Sequence, residues 1–206
     1  MPRADWVGKG ADGFVLYLEG PGDRGILDGW CRRLFPEFAR QLSRSMVILG
    51  GKQPDRAVEH FQSLGGAASG RRALCVLDRD DGGADAGSTR AEPGLEFFTW
   101  RRRHIESYLL VPSAIERALR LRDSNGRVVR ALRDHLPAQA GEDAYRVLDA
   151  KRLLAPGGPV SRSLGRPLPL AKVARATRSG ELHEDVHDCF ARVRAGLGIV
   201  DAVVLR

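Results

Sequence analysis

Phe14-Val-Leu-Tyr-Leu18, followed at once by Glu19-Gly-Pro-Gly-Asp23, is the stretch on which the fold turns. The apolar run is too short for a buried helix, and its continuity suits a parallel strand covered on both faces. Gly20, Pro21 and Gly22 mark a tight turn, after which Ile26, Leu27, Trp30 and Leu34 recur with helical spacing. The unit reads as strand, turn, helix.

The same unit recurs outward along the chain. Pro36 breaks the first helix and Phe38 to Leu42 adds a further turn. Met46-Val-Ile-Leu49 is a second strand closed by Gly50-Gly51-Lys52, and Val58, Phe61 and Leu64 mark a helix that Gly65-Gly66 ends. Ala73-Leu-Cys-Val-Leu77 is a third strand, again continuous, and Leu95 to Trp100 a fourth. Asp81 to Gly94, rich in glycine and aspartate, reads as an exposed loop. Strands alternating with helices imply βαβ units, hence an α/β fold with a mostly parallel sheet flanked by helices.

Beyond residue 112 the pattern is helical. Ser113 and Glu116 have the spacing of a capping box opening a helix through Leu121. Further helices are expected around Asp143 to Leu154 and Glu184 to Val193, with Ala155 to Pro169 as a loop. The expected organisation is a sheet domain over residues 14–112 and a C-terminal helical extension over residues 113–206, packed on it.

Composition narrows the function classes. The chain has 206 residues, 43% of them hydrophobic, enough for one substantial core. No apolar run approaches the roughly 20 residues of a membrane span, and Met1-Pro-Arg-Ala-Asp5 opens no signal-like segment, so a cytoplasmic protein without a membrane partner is expected. Cys31, Cys75 and Cys189 lie far apart in apolar surroundings and read as buried thiols. His183 and His187 lie four apart on a probable helix, and a metal role is not expected of them. A net charge of +7 favours a polyanionic partner. Only Lys9, Lys52, Lys151 and Lys172 are lysines, so the arginine excess can equally reflect genome composition.

Chemistry gathers at the strand ends. Glu19 directly follows the first strand, and Asp78 and Asp80 follow the third. Carboxyl ends of parallel strands form the ligand crevice of open α/β sheets, so these acids should converge. Carboxylates on one face repel unless a proton or cation intervenes, and a hard divalent cation such as Mg²⁺ is the natural solution. Asp23 is either a fourth member of the group or a helix cap. Trp30 and Phe61 fall on apolar helix faces and read as core, as do Trp100 and Tyr108.

On these residues the chain resembles a known family. Leu16-Tyr-Leu-Glu19-Gly20 with Asp23 is similar to the acidic first motif of Toprim domains, and Asp78-Arg79-Asp80 to their DxD motif. Ile48-Leu-Gly50-Gly51-Lys52 and Arg102-Arg103-His-Ile-Glu106-Ser-Tyr108 resemble the corresponding segments of the overcoming-lysogenization-defect (OLD) nucleases. The resemblance covers residues 14 to 112. It implies a Rossmann-like Toprim sheet and a two-metal phosphodiesterase site, with Mg²⁺ or Mn²⁺ held by Glu19, Asp23, Asp78, Asp80 and Glu106. Glu19 would act as ligand or as general acid or base. It also implies a catalytic lysine from the helical region, for which Lys151 is the candidate and Lys172 the alternative. Lys52, Arg101, Arg102 and Arg103 are candidates for holding the phosphates of DNA, with RNA an alternative substrate.

The family's usual ABC-like ATPase is not part of this chain, which contains no GxxxxGK[ST] phosphate loop. Either the chain is a stand-alone Toprim protein or a separate ATPase subunit is its partner, and a homodimer is a possible assembly. Two rivals share the acids: a non-catalytic accessory subunit of a defence or repair complex, and topoisomerase- or primase-type Toprim chemistry. A topoisomerase needs a nucleophilic tyrosine, and Tyr17, Tyr108 and Tyr145 offer none in an obvious position.

Overall fold

In the computed structural model, residues 13–79, 91–121, 126–136 and 141–199 are described. Four strands, β1 (Phe14–Leu18), β2 (Met46–Ile48), β3 (Arg72–Leu77) and β4 (Leu95–Thr99), form one all-parallel sheet in the order β2-β1-β3-β4. The helices are α1 (Pro21–Leu34), α2 (Ala39–Ser45), α3 (Pro54–Ser63), α4 (Pro112–Leu119) and α5 (Arg127–Arg133), then α6 (Glu142–Val147), α7 (Ala150–Leu154), α8 (Pro159–Leu164), α9 (Leu170–Ala176) and α10 (Glu184–Gly196). The architecture is α/β and Rossmann-like, as the alternating pattern predicts. Among the described residues no helix is long and apolar enough to cross a membrane.

The continuous apolar run of β1 has a direct cause, because successive side chains on a strand point to opposite faces. Phe14, Leu16 and Leu18 enter a core shared with α1, α4, α9 and α10, while Val15 and Tyr17 enter a smaller one with Val58 and Phe61 of α3. Both faces are covered, so both sets must be apolar. Trp30, Phe61, Trp100 and Tyr108 are all buried, as are the three cysteines. Burial pushes the Cys31 and Cys75 thiols up to about 12, which leaves them protonated and unreactive.

The helical region packs on the sheet unit chiefly through α9 against α1. Gly29 of α1 makes that contact close: a Cβ there would stand 2.5 Å from the Ala171 carbonyl oxygen and 2.9 Å from the Ala174 Cβ. Gly29→Ala should therefore destabilise the protein by about 1–3 kcal/mol through overpacking, despite the better helix propensity of alanine. Urea unfolding of the variant checks this; a stability gain would mean that the two helices separate freely.

Three local expectations are corrected. Ser113 does not cap α4: the helix begins at Pro112, and the Ser113 hydroxyl donates to Glu181 Oε1 at 2.6 Å instead. Proline preset for the first helical turn makes that start two residues earlier, with Val111 at the cap position. The segment expected as a loop from Ala155 to Pro169 contains α8, which Pro159 starts and Gly165 ends in the left-handed conformation. Glycine and proline there punctuate a short helix and do not exclude one. The expected helix from Asp143 to Leu154 is two, α6 and α7, separated at Leu148 and Asp149.

Candidate functional site

The strand order sets where a site can form. From β1 the chain moves to β2 on one side, then returns to β3 on the other side of β1. Ligands in open α/β sheets bind beyond the carboxyl ends of the two strands where the order reverses. Glu19 leaves β1 at that point, and Asp78 leaves β3.

The two acids are locked together through the backbone. Glu19 Oε1 accepts from the Asp78 amide at 2.7 Å, and Asp78 Oδ1 accepts from the Ile105 amide at 2.9 Å. The Glu19 carbonyl in turn accepts from the amides of Gly50 and Gly51, at 3.0 and 2.8 Å. Those glycines have φ of 82° and 128°, so the turn after β2 depends on residues free of a Cβ. Asp23 sits at the third position of α1, where Oδ2 accepts from the Gly20 amide at 2.8 Å, the acidic half of a capping box. Pro21 starts the helix with its φ already preset. Asp23 thus caps α1 and faces the other acids at once.

Glu106 completes the group from the 3-10 turn Ile105–Leu109. Its Oε2 is buried without a hydrogen-bond partner, an orphan acceptor that burial makes costly. Glu19, Asp23, Asp78 and Glu106 are all at most 9% exposed. Burial foremost, then the negative charge of Asp78, pushes the Glu19 and Glu106 carboxyls up to about 7, against hydrogen bonds and Lys151 that pull them down. The Asp23 carboxyl is raised by the same two causes.

Lys151 supplies the local positive charge. Its ammonium donates to Asp78 Oδ2 at 2.5 Å from the first turn of α7. Burial works against its charge, but the hydrogen bond and charge of Asp78, then those of Glu106 and Asp23, outweigh it and raise its pKa. Lys151, rather than Lys172, is the lysine the fold brings to the acids. Lys172 lies exposed on α9 beside Leu119 and Arg166.

The oxygen-only donor set suits a hard divalent cation. Among the described residues, however, no three His, Cys, Asp or Glu side chains already enclose a single ion. One ammonium balances several buried carboxylates, and it occupies an oxygen that a cation would use. Asp80, the second acid of the DxD pair, lies outside the described residues.

The arginine run is engaged by acceptors of the protein itself. Arg101 pairs with Asp185, Glu184 and Asp188 of α10. Arg102, 13% exposed, grips both oxygens of Glu142, and Arg103 donates to the Val147 carbonyl. Arg101 thus ties α10, and Arg102 and Arg103 both tie α6, to the end of β4. Lys52 donates to the Arg79 carbonyl at 3.2 Å, bracing the backbone beside Asp78. His183 accepts from the Asp185 amide as the cap of α10 and does not pair with His187.

His104 is a site neighbour that sequence reasoning missed. It is buried between Asp78, Lys151 and Asp149, and burial foremost pulls its pKa below the usual range. Its place between the arginine run and Glu106 was the available signal. A concavity lined by Phe14, Arg72, Leu74 and Arg192 lies at the opposite ends of the strands, where Arg192 pairs with Glu96, away from the acids. No family model, no curated protein and no solved structure matches this chain.

Proposed function

We propose that the chain is a metal-dependent nuclease of Toprim, OLD-like type, hydrolysing phosphodiester bonds of DNA or RNA at Glu19, Asp23, Asp78 and Glu106, with Asp80 added from the sequence. The observation that carries the reading is the buried carboxylate group at the switch point between β1 and β3, with one lysine against it. So many buried acids are costly without a compensating cation. Bound Mg²⁺ or Mn²⁺, two ions in the family pattern, would activate water and stabilise the leaving oxygen.

The chain's own residues do the rest. The Ile105 amide and Lys151 fix both oxygens of Asp78, so that carboxylate is oriented before any substrate arrives. The Asp78 amide holds Glu19 Oε1, leaving Oε2 to bind a cation or take a proton from water. A Glu19 carboxyl near 7 suits either task at neutral pH. Lys151 offsets charge that develops on the phosphate. No tyrosine is placed for topoisomerase chemistry: Tyr17 is buried against His60, Tyr108 is buried on Asp185, and Tyr145 lies under Arg102. The accessory-subunit reading draws on Lys151, whose ammonium already sits where a cation would.

The test is cleavage of supercoiled plasmid and of short DNA and RNA strands by the purified protein with Mg²⁺, Mn²⁺ or EDTA. Nicking or degradation that EDTA stops is the expected outcome. Full inertness of the folded protein towards every substrate, with and without a candidate ATPase subunit, would favour the accessory role.

A further inference from the structure

Helix α6 has no buried residue, and Val147 at its end is 71% exposed. Apolar packing holds it only in part, through Tyr145 and the following Leu148, which are partly buried against the main core. Arg102 holds it as well: Nε and Nη2 donate to the two Glu142 oxygens at 2.8 and 2.9 Å, and the guanidinium lies 4.1 Å from the Tyr145 ring centre on the next turn. The Arg103 amide donates to the Tyr145 carbonyl at 3.2 Å, and His183 Nε2 lies 3.4 Å from Glu142 Oε2 on the other side. Arg102 is itself fixed, with Nη1 donating to the Ser107 carbonyl and its amide to the Tyr108 hydroxyl, both at 3.0 Å.

The chain passes from α6 into α7 through Leu148 and Asp149 alone, and Asp149 caps α7 by accepting from the Arg152 amide. Leu153 and Leu154 bury the far end of α7, and Ala150 is buried at its start. Lys151 is at the near end, with its side chain 42% exposed, and a helix of five residues has little rigidity of its own. The near end is set by buried Ala150 together with what precedes it.

We propose that the Arg102–Glu142 pair is a clamp that sets Lys151 on Asp78, making Arg102 and Glu142 positioning residues of the site. Only the catalytic consequence rests on the nuclease reading; the placement of Lys151 does not. Bidentate guanidinium–carboxylate pairs combine charge with fixed geometry, which suits fixing the start of a short helix.

The test compares wild type, Glu142→Gln and Glu142→Ala for acylation of Lys151 by acetic anhydride, read by mass spectrometry against exposed Lys172 in the same molecule. The clamp predicts that Lys151 acylation relative to Lys172 rises by about tenfold in Glu142→Ala, with Glu142→Gln between. Thermal unfolding should stay close to wild type because α6 has no fully buried residue. Equal ratios in all three folded proteins would overturn the clamp. The predicted order in a protein that cleaves no substrate would support the clamp and count against the nuclease reading alone. Where cleavage is seen, kcat should fall with Lys151 acylation while KM holds, since a merely structural loss would lower active protein and leave kcat per folded molecule unchanged.

Discussion

Asp78→Asn is expected to lower metal-dependent cleavage by about 10³-fold while leaving the protein folded and no less stable. Asp78 is 3% exposed, and both its oxygens accept hydrogen bonds that orient them towards the other acids. An asparagine keeps the shape and the acceptor for the Ile105 amide, but it removes one ligand charge and leaves Lys151 without its partner. The stability effect runs the other way, because the carboxylate of Asp78 raises those of Glu19, Asp23 and Glu106. Removing it relieves their repulsion, offsetting the lost ion pair, as is common where function keeps like charges together. Cleavage rates under single-turnover conditions, beside thermal unfolding, separate the two effects. Activity within tenfold of wild type would remove Asp78 from the reaction.

Glu106→Gln should stabilise the protein at pH 8 and not at pH 4. Burial holds the folded-state carboxyl at about 7, whereas an unfolded one ionises near its ordinary value of 4.5. Below 4.5 both states are protonated and the residue has no pH-linked effect. Between 4.5 and about 7 the unfolded chain releases a proton that the folded chain keeps, so stability is lost as pH rises through that window and stays lost above it. A neutral glutamine avoids this loss, giving a gain on the order of 3 kcal/mol at pH 8 as an upper bound. Glu19 contributes in the same sense, so wild type itself should weaken from pH 4.5 to 7. Urea midpoints at the two pH values test this. A gap between variant and wild type that is equal at both would mean that Glu106 is ordinarily solvated.

The sheet was legible because its strands are covered on both faces. Continuous apolar runs at 14–18 and 73–77 admit little else, and the acids just after them fall at the switch point by topology alone. Lys151 was legible for a weaker reason, as a rare lysine on a helical segment. The protein partners of the arginine run were not legible because sequence shows charge and not its partner: Glu142 and Asp185 are remote in sequence, and only the placement of α6 and α10 brings them to Arg102 and Arg101. Helix α8 was hidden for a similar reason. Glycine and proline signal a break from solvent-exposed regularity, but Val160 and Leu164 gain enough burial against α5 and α7 to form a helix between them.

The most direct test of the acidic site as a cation site is calorimetric titration of the protein with Mn²⁺ at pH 8, beside a Glu19→Gln, Glu106→Gln variant. The account predicts saturable binding by wild type, weakening as pH falls below 7 because protons compete for the same two carboxyls, and its loss in the variant. Absence of binding to folded wild type, or binding of equal strength in the variant, would contradict it.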